Sequence, residues 1–271
     1  MIKRFVFALL SSALVTSVAH AGGHCAAGKT LTDGKLTIAT GNPAYYPWVM
    51  DDAPESGKGF EAAVAYAMAS EMGFPAADVV WVRTSFDEAI QPGAKNFDLN
   101  MQQYSITPER EIVVDFSVPY YSAPMAVLVG KGAVDTAPTM ADLKGLKWGA
   151  VGSTTAVSKL ENVVKPESAI LLYADNADVN AAISANQIDA ALFDLPTALF
   201  LSAVMIEGSK VIGQFSADAS DNLDQFGMLM EDGNAIKDCV NQALTKLAAT
   251  GRLAAIEAEW LQDTTGVPLI K

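Results

Sequence analysis

Short apolar, β-branched runs alternate with amphipathic helical stretches from Leu36 to Leu261, and that order constrains the fold more than any other feature. Leu36–Thr40 reads as a strand, followed by an aromatic loop, Asn42-Pro-Ala-Tyr-Tyr-Pro-Trp48. Phe60, Val64, Met68 and Met72 then recur at four-residue spacing until Gly73 and Pro75 stop the run. That is the pattern of a helix resting one face on a sheet. Val79–Thr84 is short and β-branched, and Phe97–Met101 and Ala126–Gly130 read as further strands. Strand, helix and strand in this order build a largely parallel sheet.

The alternation continues without any internal repeat or low-complexity tract. Thr139 can cap a helix that begins ahead of Leu143. Trp148–Val151, Ala169–Tyr173 and Asp189–Phe193 read as strands, with helices over Thr155–Val164 and Val179–Asn186 between them. Pro196–Met205 is helical with Pro at its first turn. Lys210–Phe215 and Gln225–Met230 are strands, and the chain ends in helices Ile236–Ala249 and Leu253–Leu261 with Gly251 as the stop. A chain of 271 residues can bury two cores. Two α/β units, the second inserted in the first, suit this order better than one very wide sheet. The expected division is 30–127 plus 222–271 for one lobe and 128–221 for the other. The crossing segments are expected near Val127–Gly130 and Phe215–Asp224.

The first residues speak to compartment. Lys3 and Arg4 precede an apolar run, and Ala19-His20-Ala21 is the small-x-small pattern of a cleavage site, so residues 1–21 read as a secretory signal peptide. The run is short for a membrane span of about 20 residues. Without it the chain keeps 16 basic against 31 acidic residues, a net charge of −15. An acidic exported product argues against a nucleic-acid binder. His20 and His24 are the only histidines, so a Ser-His-Asp triad or a His-built zinc site is excluded from the body of the chain. Cys25 and Cys239 lie in a compartment that permits a disulfide. Equally, Cys239 fits a buried thiol beside Ile236, Val240, Leu244 and Leu247.

Four segments carry chemistry. In Ser105-Ile-Thr-Pro-Glu-Arg110, after a strand, Arg110 can hold a carboxylate in a bidentate fork, though such an Arg also serves in surface salt bridges. Gly149-Ala-Val-Gly-Ser-Thr-Thr155 is a strand ending in a small-residue turn that opens a helix, a place for an anion. It lacks the Lys of a P-loop, which argues against nucleotide binding. Asp189-Ala-Ala-Leu-Phe-Asp194 carries Asp194 to a strand's C-terminal end, where open α/β sheets bind ligands. A carboxylate there suits an ammonium group or caps the helix ahead of Pro196. Tyr45, Tyr46, Trp48 and Phe86 are loop aromatics that line a cleft or enter the core. Together these parts make an inventory for a free amino acid held as a zwitterion.

In these residues the chain resembles the periplasmic amino-acid-binding proteins of bacterial ABC importers, solute-binding family 3. The resemblance rests on Gly59-Phe-Glu61, Phe97-Asp-Leu-Asn-Met101, the Ser105–Arg110 motif, Val114-Asp-Phe-Ser117 with Pro119-Tyr-Tyr121, and Asp142-Leu-Lys-Gly145. The Gly-Ser-Thr-Thr turn, the Asp189–Asp194 strand and the terminal helix with Trp260 follow in the family's order. It implies the type II periplasmic-binding-protein fold, α/β, two-lobed, each lobe a mostly parallel sheet flanked by helices, with a hinge of two crossing segments. It implies that Arg110 clamps the solute carboxylate with Thr154, Thr155 and Ser153, and that Asp194 takes the ammonium. Ser105, Gln102 and Gln103 would approach the backbone and amino group, while Tyr45, Phe86, Asn42 and Trp48 would surround the side chain. Asn42 stands where binders of basic amino acids often carry Asp, and Gln102-Gln103 makes an amide-rich floor, which favours a polar uncharged solute. The expected protein is a periplasmic monomer that needs no cofactor or metal, closes on its solute and hands it to membrane permease subunits. Two rivals remain: a dehydratase-like enzyme on a cyclic carboxylate, using Glu231 or Asp194 as acid, and a module presenting solute to a receptor.

Overall fold

The computed structural model describes residues 25–134, 139–216, 224–261 and 266–270. The expected signal peptide, 1–21, lies outside them. In chain order the strands are β1 (Leu36–Thr40), β2 (Val79–Arg83), β3 (Leu99–Asn100), β4 (Val114–Phe116), β5 (Tyr121–Ala123) and β6 (Met125–Val129). They continue with β7 (Trp148–Val151), β8 (Leu171–Tyr173), β9 (Ala190–Asp194), β10 (Lys210–Gln214), β11 (Asp224–Phe226) and β12 (Leu229–Glu231). The helices are α1 (Phe60–Glu71), α2 (Phe86–Ala89), α3 (Met140–Lys144), α4 (Thr155–Lys159) and α5 (Asn176–Ser184). After these come α6 (Leu195–Phe200), α7 (Lys237–Ala249) and α8 (Arg252–Trp260). Helices α4 and α6 each run on into a π-helical turn.

The strands form two five-stranded sheets, ordered β2-β1-β3-β12-β4 and β10-β6-β9-β7-β8. In each, four of the five strands run one way, and only β12 or β6 runs against them. These are the two lobes. The strands that return from the hinge, β6 and β12, are the ones that enter their sheets antiparallel.

The hinge differs from its expected position. Val127–Val129 lie inside β6, whose residues pair with β9 and β10, so the first crossing falls around Pro124. The second runs from β10 to β11, with 217–223 outside the described residues. Strands β5 and β11 pair antiparallel, Ala123 opposite Asp224 and Tyr121 opposite Phe226, and the two crossings thereby form one ribbon. The expected single strand Gln225–Met230 is split at Gly227, where any Cβ would lie 2.8 Å from the Ile106 side chain. The tail also departs from the expected grouping: Gln214 donates to Pro268 O, and Ile270 donates back to Gln214 O, so residues 266–270 pair with β10 of the second lobe.

Periodicity explains the packing. Phe60, Val64 and Met68 of α1 are wholly buried against Leu36, Ile38 and Leu99 of the first sheet. Helix α7 adds Val240, Leu244 and Cys239 to the same core, and Cys239 is joined to Cys25. Thr139 caps α3 in a reciprocal box with Asp142, as its sequence suggested. Asp98, in the Phe97–Met101 motif, accepts from Leu31 N and Thr37 N at 2.7 Å and ties the N-terminal segment to β1. Among the described residues no helix is long and apolar enough to cross a membrane.

Candidate functional site

Between the lobes lies a cavity of about 270 Å³. That is just below the usual range of about 300–1,000 Å³ for drug-sized ligands, so it suits one small molecule. The first lobe contributes Asn42, Tyr45, Phe86, Gln102, Gln103, Ser105 and Arg110 to its wall, and the second contributes Thr154, Thr155 and Asp194. Ten of the twelve sequence-selected residues are thus brought together around one space.

Arg110 follows the turn after β3 and is only 9% exposed. Its Nη1 donates to Ser105 O at 2.7 Å and its Nη2 to Ser153 O at 2.8 Å, so the guanidinium bridges the lobes. The Phe86 ring lies beneath it, 5.3 Å from ring centre to guanidinium carbon, and stacks in turn on Tyr104 at 4.5 Å. Burial lowers the Arg110 pKa, with Asp224 opposing the shift. Guanidinium basicity nevertheless keeps the charge. Ser153 does not line the cavity. Its left-handed backbone, φ 60°, turns its carbonyl toward Arg110.

Asp194 ends β9, where it caps a helix and lines the cavity. Its Oδ1 accepts from Thr197 N at 2.8 Å, capping α6, while the carboxylate also faces the cavity. Burial pushes its pKa up to about 6 against the pull of the Thr197 donors. Thr155 opens α4 with its hydroxyl 3.4 Å from Ser105 Oγ across the cleft. The Thr154 hydroxyl donates to Val151 O at 2.7 Å and is spent within the turn.

The floor is more committed than the sequence indicated. Gln103, held at φ 51°, gives both its backbone N–H and its side-chain amide to Glu61. Tyr120 donates to the same carboxylate. Burial raises Glu61 to about 7 in spite of these donors. The Glu of the Gly59-Phe-Glu61 motif therefore works through Gln103. Gln102 accepts from Tyr104 Oη at 3.0 Å.

Trp48 requires correction. It is wholly buried, does not line the cavity, and packs edge-on to Phe60, Tyr121 and Phe226. Its indole N–H donates to Thr197 Oγ1 at 2.8 Å, joining the lobes behind the site. Tyr46 does similar work against Phe200, with ring centres 3.9 Å apart. Trp48→Phe, which loses one interlobe hydrogen bond worth about 1 kcal/mol, is expected to weaken every solute alike by about fivefold in calorimetry. A change in selectivity would instead make Trp48 a contact residue.

Asp175, Asn176 and Asp224 line the cavity and were missed. Asp175 follows β8 and caps α5 through Asp178 N, a role any loop Asp fills, so nothing marked it out. From the sequence, Asp224 is only the last residue of the expected crossing segment Phe215–Asp224. Glu231, considered as a catalytic acid, sits in β12 outside the cavity and accepts from Lys95 N. Among the described residues no cluster of His, Cys, Asp and Glu could hold a metal.

Residues 36–263 match the family model for bacterial extracellular solute-binding proteins, family 3. The L-cystine-binding protein of Escherichia coli is 29% identical over 205 residues, covering 74% of this chain and 73% of its own. The octopine-binding periplasmic protein of Rhizobium meliloti is 30% identical, covering 68% and 69%. Among solved structures, an ancestral arginine-binding protein bound to arginine superposes with a TM-score of 0.69 at 25% identity, over 84% of this chain and 99% of that one. An ancestral amino-acid-binding precursor of cyclohexadienyl dehydratase scores 0.69 at 26% identity, over 84% and 96%. A family model spanning both lobes, a two-lobed α/β fold and a charged cleft between the lobes lead to one statement: the chain belongs to family 3 of the bacterial extracellular solute-binding proteins.

Proposed function

We propose that this protein captures a free amino acid in the periplasm by closing its lobes on the zwitterion, and delivers it to the permease of an ABC importer. One observation carries the reading: Arg110 of the first lobe and Asp194 of the second face a single small cavity. An α-carboxylate answers Arg110, an α-ammonium answers Asp194, and neither lobe alone serves both. The solute then favours the closed arrangement by its differential contacts. Relatives named for cystine, arginine and octopine support the solute class, and an ABC transporter arginine-binding protein of Escherichia coli, 28% identical over 211 residues, supports the importer.

For the side chain we infer a polar uncharged group that both donates and accepts, such as a carboxamide. Asn42 and Gln102 bring amides to this part of the wall. The Tyr45 hydroxyl is buried in the wall, near the Ala177 backbone N–H but with no acceptor for its own proton. Burial, then Asp175, raises its pKa to about 12, so it stays a neutral donor. Calorimetry with L-glutamine, L-arginine and L-cystine tests this class. Preference for glutamine-like solutes is the expected result, and preference for arginine would reverse it.

Asp194 also sets a pH dependence. Its folded pKa of about 6 stands above the ordinary 3.8. Between those values the folded chain holds a proton that the unfolded chain has lost, so this group's contribution to stability falls as pH rises through that window. Solute binding goes the other way, because the ammonium needs the ionised carboxylate. Affinity is expected to fall by about tenfold from pH 7.5 to pH 5, with about half a proton released on binding at pH 6 and close to one at pH 5. A flat profile over that range would take Asp194 out of the ammonium role.

A further inference from the structure

Asp224 opens β11 in the hinge ribbon, opposite Ala123, and its side chain lines the same cavity as Arg110 and Thr155. The Ser105 and Thr155 hydroxyls and the Arg110 and Lys159 charges each act on its carboxylate in the sense that favours ionisation, and burial acts against them. The Lys159 ammonium lies over the Phe215 ring, 4.7 Å from its centre, at the end of the strand that leads into the hinge. Ser105 and Thr155 come from opposite lobes and approach to 3.4 Å. Arg110 is also the group to which the proposed function gives the solute's carboxylate, and Thr155 lines the cavity with it. Two carboxylates cannot occupy one such cradle without repulsion or protonation of one of them.

The geometry points to Asp224 as an internal carboxylate that occupies the solute's carboxylate cradle and must be displaced when an amino acid binds, which makes it an affinity- and specificity-setting residue. The inference rests on the reading that this cradle takes a carboxylate. The shift of Asp224 to a higher pKa, driven by burial against those four groups, fits an acid held where its charge is costly. Displacement reduces apparent affinity as any competing occupied state does. It does so only for solutes that bring a negative charge to that pole. An amino acid and its α-carboxamide are therefore discriminated less sharply than Arg110 alone would impose. Because Asp224 sits on the hinge ribbon, displacing it also acts on the segment that moves in closure.

The test uses residues 22–271, the chain without its expected signal peptide, with Asp224→Asn alongside the parent. Thermal shift against the common L-amino acids selects the responding one, and calorimetry then compares it with its α-carboxamide. D224N is expected to bind the amino acid at least tenfold tighter, equivalent to about 1.4 kcal/mol, and to bind the carboxamide within about twofold of the parent. The ratio of the two affinities therefore widens by about fivefold or more. Asp224→Ser repeats the comparison if D224N melts early. Binding by the variants with none by the parent would support the inference in its strongest form. If the parent binds an amino acid and the variants bind it no better, or gain equally for acid and carboxamide, Asp224 is a structural support and the inference fails alone. If neither parent nor variants bind any amino acid, the proposed function fails and takes this inference with it.

Discussion

Arg110→Ala is expected to reduce amino-acid affinity by about 10³-fold, close to 4 kcal/mol, because it strips the charged partner from a carboxylate that closure takes out of water. The substitution also frees the Ser105 and Ser153 carbonyls that the guanidinium now bridges, so the lobes lose their own link as well as the solute's. Arg110→Lys separates the two effects. It keeps a charge but cannot fork to two acceptors, so binding should fall by a smaller factor, about 10- to 100-fold. Melting curves show whether each variant stays folded, and calorimetry reads the affinities. Unchanged affinity in R110A would remove the carboxylate clamp, and with it the placement of the solute.

Asp194→Asn is expected to weaken α-amino acids by about 10²-fold while leaving the corresponding α-hydroxy acids nearly unchanged, since only the former bring an ammonium to the site. Asn retains an oxygen for the Thr197 amide and is itself a good cap, so α6 should hold its start. That makes D194N a cleaner probe than Asp194→Ala, which would also expose the helix end. Equal losses for both solute types would reduce Asp194 to a capping residue.

Much of this was legible in the sequence because it is local. The spacing of Phe60, Val64 and Met68 shows a buried helical face, and a strand followed by a turn places Thr155 and Asp194 at strand ends, where α/β sheets keep their sites. What escaped was non-local. Strands β4 and β5 have three residues each, too few for a two-residue period to stand out. Trp48 follows Tyr45 and Tyr46 in one aromatic loop, and only the position of Phe60, Phe226 and Thr197 turns it into the core. Asp224 acquires meaning through a ribbon that pairs it with Ala123, far off in sequence, and through charges from both lobes. Gln103 looked like a free amide, but Glu61 holds its backbone N–H and one donor of its side-chain amide.

The central claim is that the two lobes share one zwitterion, and a thermal-shift screen of residues 22–271, the chain without its expected signal peptide, tests it most directly. The panel holds the common L-amino acids, octopine, and matched α-keto acids and amines that lack one charge of the pair. A solute at about 1,000 times its dissociation constant stabilises the folded state by about 4 kcal/mol. In a chain of this size that is roughly 10 °C in melting temperature. The expected result is a rise of that order for at least one free amino acid and none for its one-charge analogues. A flat response to every zwitterion, or an equal rise with an analogue missing either charge, would contradict it.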